Sequence, residues 1–170
     1  MKQQTLIIIK PDGVDRNLIG KIISYYEEAG LKVIKLKMVQ ADRDLIMKHY
    51  EEDVEYMKAI GQKSKDAGNE VEDILEYGRM IVQSLRGYMT SGAVVPMVLE
   101  GEDAIALARK ITGFTDPTQA DKGTIRGDLG NDSIAKANGE GRPTKNLIHA
   151  SGNPEEAKKE IELWFGSNSS

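Results

Sequence analysis

The sequence predicts an α+β domain: an antiparallel sheet with helices on one face and an extra helical insertion. Three observations carry this. Short β-branched runs stop at turn residues, amphipathic stretches at helical spacing lie between them, and a strand–helix–strand pattern occurs twice along the 170 residues.

Thr5 to Lys10, TLIIIK, is closed by Pro11-Asp12-Gly13 and reads as a buried strand stopping at a turn. In LIGKIISYYEEAG, residues Leu18, Ile19, Ile22, Ile23 and Tyr26 share one helical face, and Gly30 is the stop. Leu31 to Gln40 sets Val33, Ile34, Leu36 and Met38 among lysines, the pattern of a strand with one wet face. Asp42 then caps a helix through Leu45, Ile46 and Tyr50. Residues 51–87 are charged and helical. Val54, Met57 and Ile60 make one stripe, and Val71, Ile74, Leu75, Ile81 and Leu85 another, with Gly61 and Gly68 separating them. Gly92 to Gly101 is a third strand, in which Pro96 predicts an edge position or a local irregularity. EDAIALARKITG is a helix closed by Gly113. Phe114 to Lys145 reads as a long loop, a length that goes with function or disorder in a compact domain. A short strand follows around Asn146 to His149. The last helix opens on Asn153 as N-cap, with Pro154 in first position and Glu156 completing a capping box, and Ala157, Ile161, Trp164 and Phe165 anchor it. The order is that of a ferredoxin-like βαββαβ sandwich.

Composition limits the function classes. The length suits one domain with its own core. The absence of cysteine excludes disulfides, a thiol nucleophile and a cysteine-ligated metal, and it fits a reducing cytoplasm. The opening MKQQTLIIIKPDG has too short an apolar run for a signal peptide, and no run approaches the roughly 18 apolar residues of a membrane span. A net charge of −4 speaks against specific nucleic-acid binding.

Cations and donors gather at element ends. Lys10 closes the first strand and is held extended by the proline after it. Arg109 lies late in a helix, and Arg126 sits between glycines in GTIRGD, with Thr115, Thr124 and Asn146 as hydroxyl and amide donors nearby in sequence. An arginine fork suits phosphate, although the same residues fit ordinary surface cations. The chain has two histidines, and His149 ends an apolar segment just before a turn. No G-x-S-x-G elbow exists, and the other histidine, His49, is remote in sequence, which argues against a serine hydrolase and a metal site. What remains is histidine as nucleophile toward phosphorus, oriented by Glu160 from the following helix, or a structural histidine at a strand end.

Taken together and in order, TLIIIKPDGV, LIGKII, HY, GTIRGD, NLIHAS and EEAKKEIELWF closely resemble the nucleoside diphosphate kinases, over most of residues 4–165. The resemblance implies one such domain over 1–170 and ping-pong transfer of a γ-phosphate to a nucleoside diphosphate through a phosphohistidine at His149. By position, it implies that Lys10 contacts phosphate, Tyr50 supports Lys10 and the phosphorylated imidazole, and Ser151 and Glu160 buttress His149. Arg109, Thr115 and Arg126 would grip the α- and β-phosphate region, and Asn146 the sugar hydroxyl. Mg²⁺ would arrive on the nucleotide phosphates, with no protein carboxylate cage. The partners implied are nucleoside tri- and diphosphates and further copies of the chain, as a homo-oligomer that is a hexamer or smaller.

The chain departs from the family's pattern in several places. Insertions are read at about 51–78 and 129–142, with a flexible tail at 166–170. The base-stacking aromatic falls at Ile81, beside Met80, and the usual acidic residue after His-x-Ser is Gly152. A different class of protein also fits the fold: a nonenzymatic ferredoxin-like nucleotide-binding or regulatory module. A histidine phosphocarrier is a third reading.

Overall fold

The structure, a computed structural model, describes residues 1–66 and 68–166. Residues 167–170 of the tail read as flexible lie outside the described residues. Five strands form the sheet: β1 (Lys2–Ile9), β2 (Lys32–Leu36), β3 (Val39–Gln40), β4 (Ala93–Glu102) and β5 (Ile148–Ala150). The order is β2-β4-β1-β5, with β3 also on β4, and every pairing is antiparallel. This is the ferredoxin-like arrangement expected from the doubled strand–helix–strand pattern.

The IIII run of β1 is apolar on both sides because both faces of the sheet are covered. Ile7 and Ile9 pack with Ile22 and Tyr26 of α2 (Ile19–Glu28) and with Ala104 and Ala108 of α6 (Ala104–Thr112). Leu6 and Ile8 face the other way, among Ile46 of α3 (Arg43–His49), Val82 and Met89 of α5 (Ile74–Met89), and Ile161 and Trp164 of α9 (Pro154–Phe165). Leu6 to Ile9 are fully buried, worth about 1.5–3 kcal/mol for each side chain. The two helices of the βαββαβ unit share one face, as expected. Helices are expected on one face only; the second face is covered as well, by α3, α5 and α9.

Several elements differ from their expected form. The single strand predicted over Leu31–Gln40 is broken into β2 and β3. The break explains Pro96, which is not at an edge, since β4 lies between β1 and β2. The Pro96 carbonyl accepts from Lys37 N at 3.2 Å, so the missing N–H on the same side falls where β2 gives way to β3. Proline is tolerated there because the ladder has already lapsed.

Gly61 does not end a helical stripe. It lies inside α4 (Val54–Asp66), where α4 crosses α5. A Cβ at Gly61 would fall 1.9 Å from Ile74 O, and one at Gly78 would fall 1.9 Å from Met57 O. Only glycine lets the backbones approach so closely. The loop predicted over 114–145 holds a 3₁₀ turn (Pro117–Gln119), α7 (Ile125–Leu129) and α8 (Ile134–Gly139). These are short and capped by side chains: Thr124 accepts from Gly127 N and Ser133 from Lys136 N. Such local caps carry too little apolar periodicity to announce a helix. Asp132 and Arg142 clamp the segment, with Oδ1 accepting from Nη2 at 2.9 Å and Oδ2 from Nη1 at 2.6 Å.

Candidate active site

β5 pairs with β1 so that His149 stands opposite Ile8, and its side chain shares that residue's face. The chain enters β5 through a strained turn. Leu147, fully buried, has φ 72°, and Ile148 N bonds Asn146 O at 2.8 Å, an i to i+2 closure. Two bonds hold it: Lys10 N donates to Leu147 O at 2.8 Å, and Leu147 N donates to Asp12 Oδ2 at 3.1 Å. Asp12 is the N-terminal acid of α1 (Pro11–Asp15) and also accepts from the Tyr88 hydroxyl at 2.6 Å. Asp12 and Tyr88 thus tie the first strand's end, α5 and the histidine's turn together. In sequence Asp12 reads only as a turn residue, although its KPDG setting is the available signal.

His149 is one-fifth exposed, and its Nε2 lies 2.9 Å from Glu160 Oε1 on α9. The other oxygen of Glu160 accepts from Ser151 Oγ at 2.5 Å. Burial opposes the charge on Glu160. The hydrogen bond from His149, the field of both imidazoles and the Ser151 bond outweigh it, holding the carboxyl below its ordinary value. The arrangement leaves Nδ1 of His149 without a hydrogen bond among the described residues. A ring with one nitrogen anchored to a carboxylate and the other open is built to attack or to take a proton.

The predicted cations are brought together, though not all are open. Lys10 is buried and donates Nζ to Asn146 Oδ1 at 2.8 Å. Its burial, and next the Arg126 charge, bring its pKa down to about 8, against the pull of Asp12. Arg126 is buried too. Its guanidinium donates to three carbonyls: Asn146 at 2.9 Å, Gly113 at 3.1 Å and Ile148 at 2.6 Å. Burial lowers its pKa to about 10, so it stays charged at neutral pH. Arg126 therefore braces the loops around His149 as well as placing a positive charge there. Asn146 is occupied on both ends of its amide, by Lys10 and by Thr115 O at 3.0 Å. Arg109 and Thr115 are exposed. Tyr50 lies beside the cluster, with its ring 6.4 Å from that of His149. Its hydroxyl makes no bond to Lys10 among the described residues; Arg86, which carries no motif signal in the sequence, holds its carbonyl through Nε at 2.8 Å and Nη2 at 2.5 Å. Ile81 is half-buried on α5, next to the fully buried Val82, and Met80 is exposed.

His49, set aside as remote in sequence, is in fact adjacent: its ring centroid is 4.5 Å from that of His149. Gly152 stands where the family's acid is expected. Gly152 N donates to Glu156 Oε2 at 2.8 Å, and a Cβ on Gly152 would sit 2.6 Å from that same oxygen.

A ferredoxin-like sheet that presents an anchored histidine beside buried cations defines a phosphoryl-handling protein. The sequence model of the family described as nucleoside diphosphate kinase matches residues 3–62 and 74–169. A nucleoside diphosphate kinase of Pyrobaculum aerophilum is 46% identical over 173 residues, covering 96% of this chain and 94% of the relative. The crystal structure of an NDP kinase from the same organism superposes with a TM-score of 0.92 at 43% identity, over 97% of this chain and 96% of that one. A Borrelia burgdorferi nucleoside-diphosphate kinase, solved as a transition state mimic with bound vanadate and ADP, has a TM-score of 0.80 at 36% identity, over 98% and 89% of the two chains. The chain belongs to the nucleoside diphosphate kinase family. The match passes over residues 63–73, the end of α4 and the connection to α5, and runs through 129–142.

Proposed function

We propose that this chain is a nucleoside diphosphate kinase working through a phosphohistidine at His149. The observation that carries the reading is the His149–Glu160 pair at 2.9 Å, which anchors Nε2 and leaves Nδ1 as the reacting nitrogen. In the first half-reaction the Nδ1 lone pair attacks the γ-phosphorus. The bond from phosphorus to the β,γ-bridging oxygen breaks, and the diphosphate leaves with that electron pair. The ring gains positive charge, which Glu160 stabilises through the Nε2 proton. In the second half-reaction a β-phosphate oxygen of another nucleoside diphosphate attacks, and the N–P electrons return to Nδ1. The protein contributes position and charge, as phosphoryl transfer requires.

Lys10 and Arg126 supply fixed positive charge on the buried side, and exposed Arg109 and Thr115 face incoming phosphates. Asn146 would release Thr115 O or Lys10 to meet a sugar hydroxyl. The nearby carboxylates Asp12 and Glu160 are both engaged in hydrogen bonds, so Mg²⁺ fits as a passenger of the nucleotide phosphates, neutralising their charge. Substrates are nucleoside tri- and diphosphates, with Ile81 as part of the base platform. The active form is a homo-oligomer, a hexamer or smaller, in the cytoplasm. A cysteine-free chain supports that compartment, and among the described residues no helix is long and apolar enough to cross a membrane.

Incubation with γ-labelled ATP tests the reading. Acid-labile label on the wild type, lost in His149→Ala and passed to GDP or CDP, is the expected result. No label would leave a nucleotide-binding module, label passed only to a protein would make it a phosphocarrier, and acid-stable label at Ser151 would move the chemistry off His149.

A further inference from the structure

His49 closes α3, and its side chain is fully buried. Its Nδ1 lies 3.2 Å from the indole Nε1 of Trp164. An indole N–H can only donate, so Nδ1 must be bare and the ring proton sits on Nε2. Trp164 is itself fixed, being 2% exposed with its carbonyl accepting from Lys37 Nζ at 2.5 Å. The His49 ring stands edge-on to three others: His149 at 4.5 Å, Tyr50 at 4.6 Å and Trp164 at 5.7 Å.

His49, His149 and Glu160 offer two imidazoles and a carboxylate within 4.8 Å, a grouping that could suggest a metal centre. The tautomer argues against it. A metal needs a bare nitrogen from each ring, and the bare nitrogen of His49 already faces the indole N–H. Moving the proton to Nδ1 to free Nε2 would set two N–H groups against each other. Both oxygens of Glu160 are also committed, to His149 and Ser151.

We propose that His49 is a positioning residue for phosphoryl transfer: held in one tautomer by Trp164, it walls the buried side of His149 and keeps that ring pointing Nε2 at Glu160 with Nδ1 left open. This rests on His149 being the phosphorylated residue. Two further facts fit. The Nε2 atom of His49 is buried with no hydrogen-bond partner among the described residues, a cost that a phenylalanine of similar shape would not carry. Retaining a nitrogen ring there makes sense if the indole must be met and the ring angle set. Burial also pushes the His49 pKa down to about 3, so the ring stays neutral. A cation at that place, with Nδ1 4.0 Å from Glu160 Oε1, would compete with His149 for the carboxylate.

The chain has only two histidines, so ¹⁵N-histidine NMR of the full-length protein resolves each ring. The wild type is expected to show His49 neutral with its proton on Nε2 from pH 5 to 8, and His149 protonated on Nε2. In Trp164→Phe and His49→Phe, the His149 nitrogens are expected to average between tautomers. The single-turnover rate of phosphoenzyme formation should fall about tenfold while the KM for ATP stays within twofold. His49→Gln, which keeps an acceptor for the indole, should recover most of the rate. His49 carrying its proton on Nδ1 in the wild type, or folded variants with unchanged His149 shifts and rate, would overturn the proposal. The wild-type spectrum decides even if His49→Phe does not fold. Failure of the wild type to form any phosphohistidine by ³¹P NMR would instead overturn the function on which the proposal rests.

Discussion

Glu160 divides its carboxylate between two neighbours, His149 Nε2 at Oε1 and Ser151 Oγ at Oε2, so that one side chain of α9 anchors both ends of the His149–Ser151 segment. Glu160→Ala would remove the carboxylate partner of the His149 N–H and leave the Ser151 hydroxyl only its longer contacts with Leu6 N at 3.3 Å and Leu6 O at 3.4 Å. A lost hydrogen bond to a charged group is worth about 1.5–3 kcal/mol, which corresponds to roughly a 10- to 100-fold slower phosphoenzyme formation. Glu160→Gln keeps an acceptor and is expected to fall between. Rapid-quench single turnovers measure both, and an alanine variant as fast as wild type would remove Glu160 from the mechanism.

Lys10 titrates far below an ordinary lysine, at about 8, because burial penalises its charge. Below that pH the ammonium carries its proton and attracts phosphate; as pH rises through it, the charge is lost. The kcat/KM for a nucleoside triphosphate is therefore expected to fall on the alkaline side with an apparent pKa near 8. Lys10→Arg, whose group stays charged, should flatten that limb while lowering the plateau. An unchanged alkaline limb in Lys10→Arg would assign the titration to another group.

The α4–α5 crossing depends on two missing side chains. A methyl at Gly61 would lie 1.9 Å from a carbonyl oxygen of the facing helix, so the helices must part. Overpacking of this kind costs about 1–3 kcal/mol, and a chain of this size loses roughly 2–4 °C per kcal/mol. Gly61→Ala and Gly78→Ala are each expected to lower Tm by roughly 2–12 °C in differential scanning calorimetry. A Tm within 1 °C of wild type, by the same scan, would mean the helices do not cross as described.

Ile81 offers an aliphatic surface where stacking on a base would be stronger with an aromatic ring. Base–aromatic stacking is worth about 1–3 kcal/mol. Ile81→Phe should lower the KM for purine nucleotides about five- to tenfold, with little change for the phosphohistidine half-reaction under saturating ATP. Steady-state kinetics with ADP and CDP as acceptors would show it, and an unaltered purine KM would place the base elsewhere on α5 or on the α4–α5 connection.

The elements that sequence alone determined are those with dense local signals. The apolar run of β1, the amphipathic face of α2 and the Asn153-Pro154-Glu156 cap of α9 are written in neighbouring residues, and the structure keeps them. The ordered motifs from KPDG to EEAKKEIELWF also named His149, Lys10, Arg126, Asn146, Ser151 and Glu160, which the fold brings into one cluster. What tertiary structure decided is everything that depends on partners far along the chain. His49 lies 100 residues from His149, and only the packing of α3 against α9 makes their rings neighbours. Arg126 reads as a phosphate grip in sequence, yet it is largely spent on three carbonyls because β5 and the loop before α7 happen to present them. Pro96 reads in sequence as either an edge or a local irregularity, and only the sheet decides for the irregularity: β4 is central, and the neighbouring strand breaks beside Pro96. Side-chain periodicity reports which face an element buries; it cannot report which distant backbone or ring will meet that face, since that pairing is set by the closure of the whole sheet and its two helical layers.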